Sequence, residues 1–201
     1  MLRIIYIVFG LTAFSIAVVG VFRISSYYAD EIGRDRVKST VLLDTSGKPW
    51  KLSDLGNRVG VIFFGYTYCP DVCPTTLNDL SIALQGMGPE RDTVQPIFIS
   101  VDPGRDNPTV IREYISQFDK SIIGLTGDPD AIKSFAWNFG ATYSTLKSNP
   151  EDKSYMLEHS ANFFIASSSG QRIHLPIKND PDELRDAIFN AAQSIIRSDR
   201  Q

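Results

Sequence analysis

The sequence predicts an α/β chain, with one sheet covered by helices on both faces. Three observations carry that expectation. Residues 59–66, VGVIFFGY, form a continuous apolar run rich in β-branched and aromatic side chains, the pattern of a strand buried on both faces. Strand-like and helix-like segments alternate from there to about residue 146, as in β–α–β units of one sheet. The 201 residues are 43% hydrophobic and 21% charged, enough for one domain with a sizeable core.

In chain order, VLLDTSGKPWKL (41–52) reads as two short strands about the turn Asp44-Thr45-Ser46-Gly47. After the strand at 59–66, Leu77, Leu80, Ile82 and Leu84 form a helical face that Gly86 and Gly88 close. VQPIFISVD (94–102) reads as a strand. Asn107-Pro108 starts a helix to residue 118, with apolar positions Val110, Ile111, Tyr114, Ile115 and Phe118. IIGLTG (122–127) reads as a short strand, 128–140 as a capped helix stopped by Gly140, and 141–146 as another strand. Segments 160–167 and 171–177 flank Ser168-Ser169-Gly170 as a hairpin, and 181–197 reads as a last amphipathic helix. This order fits a thioredoxin-like fold with an extra N-terminal β-hairpin and a terminal hairpin. No internal repeat or low-complexity tract is visible.

The N-terminus differs. Residues 4–22 contain no charge over 19 positions and are bracketed by Arg3 and Arg23. At about 1.5 Å per residue such a helix reaches roughly the 30 Å core of a bilayer. A cleaved signal peptide has a shorter apolar region and a small-x-small cleavage site, and none follows Phe22. The expectation is an uncleaved single-pass transmembrane helix, with Tyr27 and Tyr28 at the far interface. Residues 1–23 are thus read as a membrane anchor, 24–38 as a polar linker, and 39–201 as the folded domain. Arg23, Arg34, Arg36 and Lys38 count against a cytoplasmic N-terminus, so topology must be argued from chemistry instead.

The net charge of −3 gives no reason to expect nucleic acid. Chemistry concentrates in YTYCPDVCPTTL, which holds both cysteines of the chain, Cys69 and Cys73. They fall where a buried strand gives way to a helix, the ligand-facing end of an open α/β sheet. A helix N-terminus favours thiolate, and the i, i+4 spacing brings both sulfurs to one side. Pro70 and Pro74 stiffen the turn. Two buried small hydrophobes are the bland alternative; a structural disulfide is another, but it closes too short a loop to stabilise much.

A metal site needs a third ligand, and the chain has two histidines. His174, in RIHLPI, reads as an ordinary strand residue. His159, in MLEHSANFF, precedes a strand that could lie beside the first one; it is either a ligand or a structural imidazole. Two thiolates and one imidazole suit Cu(I) or Cu(II), whereas structural zinc takes four protein ligands. Asp71, between the cysteines, and Asp102, in SVDPGRDNP, are candidates to orient His159 or tune the thiols. Turn formation is the competing role for Asp102.

FFGYTYCPDVCPTTLNDL, ISVDPGRDNP, FDKSIIGLTGDPDAI and LEHSANFFI, in this order, closely resemble the Sco/SenC family over roughly residues 41–190. The resemblance implies a thioredoxin-like domain on a single membrane anchor. It implies one bound copper ion and a role in assembling the dinuclear copper site of cytochrome c oxidase subunit II. The implied ligands are Cys69, Cys73 and His159, and the family's aspartate falls on Asp102. Two departures stand out: RVKSTVLLDTSG where the family often has Gly and Phe ahead of its first hairpin, and GYTYC in place of the frequent GYTHC.

The expected function is a copper metallochaperone that takes copper from an upstream donor and passes it to the oxidase or another copper-receiving protein. A thiol–disulfide reductase that keeps the recipient's cysteines reduced is the alternative, so enzymatic activity stays open. A peroxide-reducing enzyme needs one strongly activated thiolate, and the sequence does not separate the two cysteines that way. The implied location is a bacterial inner membrane with the domain facing the periplasm. A span beginning at residue 4 leaves no room for a mitochondrial presequence.

Overall fold

A computed structural model describes residues 2–146, 155–178 and 180–200 of the chain; side chains are described from residue 14 onward, except that of residue 146. Its main sheet has seven strands in the order β2-β1-β5-β4-β3-β8-β9. These are β1 (Leu42–Asp44), β2 (Pro49–Trp50), β3 (Val59–Gly65), β4 (Val94–Ser100), β5 (Ile123–Thr126), β8 (Phe163–Ala166) and β9 (Arg172–Leu175). A separate two-stranded sheet joins β6 (Tyr143–Leu146) to β7 (Met156–His159). Strands β3, β4 and β5 run parallel, Val59 opposite Val94 and Ile97 opposite Ile123. β8 is antiparallel to β3, with Phe63 opposite Phe163.

The apolar run of β3 is explained by its two burdens. Val59, Val61 and Phe63 face a layer made by α2 (Val72–Gln85), α3 (Pro108–Ile115) and α5 (Pro181–Ser198). Ile62 and Phe64 face the other layer, built on α4 (Pro129–Phe139) and the 3-10 turn Leu52–Leu55. Helix starts follow local chemistry. The Asn107 side chain accepts from the Thr109 and Val110 amides, and that of Asp128 from Asp130 and Ala131. Gly140 closes α4 at φ 77°. At the N-terminal hairpin, Asp44 accepts from the Ser46 and Lys48 amides, and Gly47 sits at φ 79°.

Two expectations change. Residues 24–38 are helical, because α1 runs from Leu2 to Ser39. Its polar composition hides a packed stripe. Gly33 and Val37, four residues apart, are buried, and Val37 joins the core cluster of Trp50, Leu52 and Phe135. Asp30 pairs with Arg34 at 2.9 Å and with Arg172 of β9 at 3.2 Å. Second, residues 156–159 form a strand of their own, ahead of the one expected from 160. Among the described residues no helix is long and apolar enough to cross a membrane. The side chains of residues 4–13, half of the apolar run, lie outside the described set.

Candidate metal centre

The parallel strands β3 and β4 end side by side, and the loops that leave them form the site. Tyr66, Thr67, Tyr68 and Cys69 follow β3; Asp102, Arg105 and Asp106 follow β4. His159 arrives from the other direction. β8 is antiparallel to β3, so the residues just before Phe163 lie at the carboxyl end of β3. Sheet topology therefore delivers the imidazole to the cysteine loop from far along the chain.

The donor atoms of Cys69, Cys73 and His159 all lie within 4.8 Å of one another. His159 Nε2 is 3.3 Å from Cys73 Sγ, and the Cys73 amide donates to Cys69 Sγ at 3.4 Å. Both thiols are free; Cys69 is half-buried and Cys73 fully buried. Among the described residues this is the one group of three or more His, Cys, Asp or Glu side chains whose donor atoms converge. The His159 ring is held edge-on by Phe63 (centroids 6.0 Å apart) and Tyr66 (5.8 Å). A side chain at Gly65 would put its Cβ 2.8 Å from Cys73 Sγ and 2.9 Å from the Phe98 ring, so only glycine lets Cys73 lie against β3.

The two thiols are unequal. A hydrogen bond from the Cys73 thiol, more than any other influence, lowers Cys69 to a pKa of about 4; burial opposes this, and the Cys73 and Asp71 amides and His159 reinforce it. The same thiol-to-thiolate hydrogen bond, together with burial, pushes Cys73 up, so it keeps its proton. The pair therefore holds one negative charge, on the less buried sulfur, two residues ahead of the Asp71 N-cap of α2. The sequence does not separate the cysteines; the depth of each in the fold does.

The structure brings the two cysteines and His159 together; Asp71 reaches Cys69 through its backbone amide, and among the described residues neither aspartate carboxylate bonds to the imidazole. Asp71 is exposed at the start of α2 and makes no side-chain capping bond. Asp102 is buried and bonds away from the imidazole: Tyr155 Oη donates to it at 2.5 Å and Arg105 Nε at 2.5 Å. The nitrogen of His159 that faces away from the sulfurs, Nδ1, lies 3.3 Å from the Ser160 carbonyl. A backbone oxygen takes the position expected for a carboxylate. His174 projects onto Phe164, on the opposite face of the sheet from Cys73.

Sequence reasoning passed over two residues. Asp106, fully buried, accepts from the Thr67 amide at 2.9 Å, the Thr67 hydroxyl at 2.6 Å and the Ser100 hydroxyl at 2.6 Å. It ties the cysteine loop to β4. The guanidinium of Arg105 lies over the rings of Tyr155 (3.7 Å), Tyr68 (4.8 Å) and Tyr66 (5.8 Å). Both residues stand in SVDPGRDNP, where turn chemistry masks their part. Burial, then the bond to Asp102, pushes the Tyr155 phenol up to about 12, so it remains a donor at neutral pH.

Fold and site together define a thioredoxin-like domain that gathers two sulfurs and one imidazole nitrogen at the carboxyl edge of its sheet. The sequence profile of the SCO1/SenC family matches residues 31–193, and the chain belongs to that family. The SCO2-like protein of Rickettsia felis is 33% identical over 144 residues, covering 71% of this chain and 70% of that protein. ScoI of Bradyrhizobium japonicum, solved with copper bound, is 34% identical with a TM-score of 0.66, covering 76% of this chain and 96% of the other. Yeast Sco1 with copper bound is 32% identical with a TM-score of 0.70, covering 77% and 87%.

Proposed function

We propose that the protein is a copper chaperone. Cys69, Cys73 and His159 carry one copper ion as cargo and pass it to the dinuclear site of cytochrome c oxidase subunit II. The observation that carries this reading is the convergence of two sulfurs and one imidazole nitrogen within 4.8 Å. That donor set fits copper: thiolate and imidazole suit Cu(I), and Cu(II) accepts them with a further ligand. Three donors are one fewer than structural zinc takes. The copper-bound relatives support the same choice. Cys69 is ready as a thiolate, whereas Cys73 gives up its proton when metal enters, so loading releases a proton.

The test is a transfer experiment. The reduced full-length chain is loaded with one equivalent of Cu(I) and mixed with the copper-free soluble domain of an oxidase subunit II. Copper should move to the recipient, and the His159→Ala protein should fail to retain its load through the mixing step. Retention by the wild type with no transfer would contradict the delivery role.

The charge on Cys69 favours a second activity of the same pair. Cys69 thiolate attacks a partner disulfide, forming a mixed disulfide and releasing one partner thiolate. Cys73 then loses its proton and attacks Cys69 Sγ, releasing the second partner thiol and leaving a Cys69–Cys73 disulfide. The metal-free chain should reduce an oxidised recipient with one disulfide formed per disulfide reduced. Reduction that persists in Cys69→Ser would contradict it.

Residues 1–23 are proposed as the anchor, with 4–22 spanning a bacterial inner membrane and the domain in the periplasm. The uncharged run of 19 residues supports this. The full chain should stay in the membrane pellet after alkaline extraction, and an added protease should digest the domain in spheroplasts. A chain released by alkali would contradict the anchor.

A further inference from the structure

We propose that the loop after β4, residues 102–106, is a brace that sets the distance between the two halves of the donor set, with Tyr155 as the positioning residue for His159. The proposal rests on the copper reading above. The two halves come from different sheets. The cysteines follow β3 of the main sheet, whereas His159 ends β7 of the small one, and among the described residues no strand pairing joins the two sheets. The β8–β3 pairing brings the chain after His159 to the cysteine loop, and the contacts of the β4 loop then fix the distance between the two halves.

The loop grips both. On the cysteine side, Asp106 receives the amide and hydroxyl of Thr67, two residues before Cys69. On the imidazole side, Tyr155 lies immediately ahead of β7 and is held by several contacts. Its hydroxyl donates to Asp102 Oδ1 at 2.5 Å, its ring lies 3.7 Å under the Arg105 guanidinium, and its carbonyl accepts from Arg105 Nη1 at 2.9 Å. The loop is itself closed: Asp102 Oδ2 accepts from Arg105 Nε, and the Asp102 carbonyl accepts from the Asp106 amide at 2.9 Å. Asp102 is 4% exposed and Asp106 0%, so these bonds compete little with water. β7 transmits the position, because its four residues run directly from Tyr155 to His159 and each pairs with β6. Leu157, midway, is pinned by its amide donating to Tyr66 Oη at 3.4 Å.

A double-mutant cycle on copper affinity tests the brace. Wild type, Tyr155→Phe, His159→Ala and the double variant, all full-length and reduced, compete for Cu(I) against a chromophoric chelator. Tyr155→Phe removes one hydroxyl and should weaken binding roughly tenfold in the wild-type background, in the range known for groups that orient a metal ligand. With His159 already gone, the same substitution should cost less than twofold. An equal loss in both backgrounds, or no loss in the first, overturns the proposal. Unchanged affinity in His159→Ala alone overturns the copper reading beneath it, so the two failures are distinguishable. Circular dichroism checks folding; should Tyr155→Phe not fold, Asp102→Asn in the same cycle carries the same expectation and the same overturning results.

Discussion

Cys69 precedes α2 and Cys73 lies in its first turn, and the two differ by a great deal of chemistry. The less buried sulfur carries the charge; the deeper one supplies the proton that stabilises it. Alkylation of the metal-free reduced chain should therefore label Cys69 first, at a rate that holds as pH falls and declines only near 4. Cys73→Ala removes the thiol donor, and the Cys69 midpoint should move up toward an ordinary thiol value near 8.5. Mass-mapped labelling against pH measures both. Gly65 is the matching steric requirement. Gly65→Ala forces a methyl against Cys73 Sγ and Phe98, and should cost about 1–3 kcal/mol of stability in a denaturant titration, with weaker copper binding alongside.

At the scale of elements, caps and ion pairs fix where helices and loops begin. Asp128→Ala should destabilise the fold by about 1 kcal/mol, read as a fall in Tm of about 2–4 °C. Asp119 shows the effect of pH. Burial raises its pKa, but the Ser121 hydroxyl and amide and the Arg91 guanidinium (2.7 Å) outweigh it, and the carboxyl ends below its ordinary 3.8. A lowered folded-state value stabilises the protein above pH 3.8, and the gain is lost as pH falls through the folded-state value. Acid unfolding of Asp119→Asn should accordingly show a shallower loss of stability below about pH 4 than wild type.

Elements were readable in the sequence where one face of each decided its placement. β3 needed two apolar faces and announced them; α4 carried its own cap and its own stop. β7 did not read as a strand, because Met156–His159 alternates over four residues in a sheet too small to require a longer pattern. The last turns of α1 did not read as helix because their packed stripe is one glycine and one valine among charges. The order of the strands in space is the step that composition and period cannot supply.

At the scale of the molecule, the donor set was legible and its support was not. The spacing of Cys69 and Cys73 and the scarcity of histidine pointed to three residues, and topology explains their meeting. Asp102, Arg105, Asp106 and Tyr155 lie on two loops whose proximity only the fold reveals, and there Asp102 turns toward Tyr155 and Arg105 instead of His159. The chain thus behaves as two parts held at one edge. The main sheet carries the sulfurs, a small two-stranded sheet carries the imidazole, and the β4 loop braces them.

The central claim is that copper sits on these three side chains. Its most direct measurement is the electronic spectrum of the reduced full-length chain with one equivalent of Cu(II). An intense sulfur-to-copper charge-transfer band is expected, lost in Cys69→Ser and in Cys73→Ser and shifted in His159→Ala. A wild type without the band, or a band unchanged in both serine variants, would contradict it.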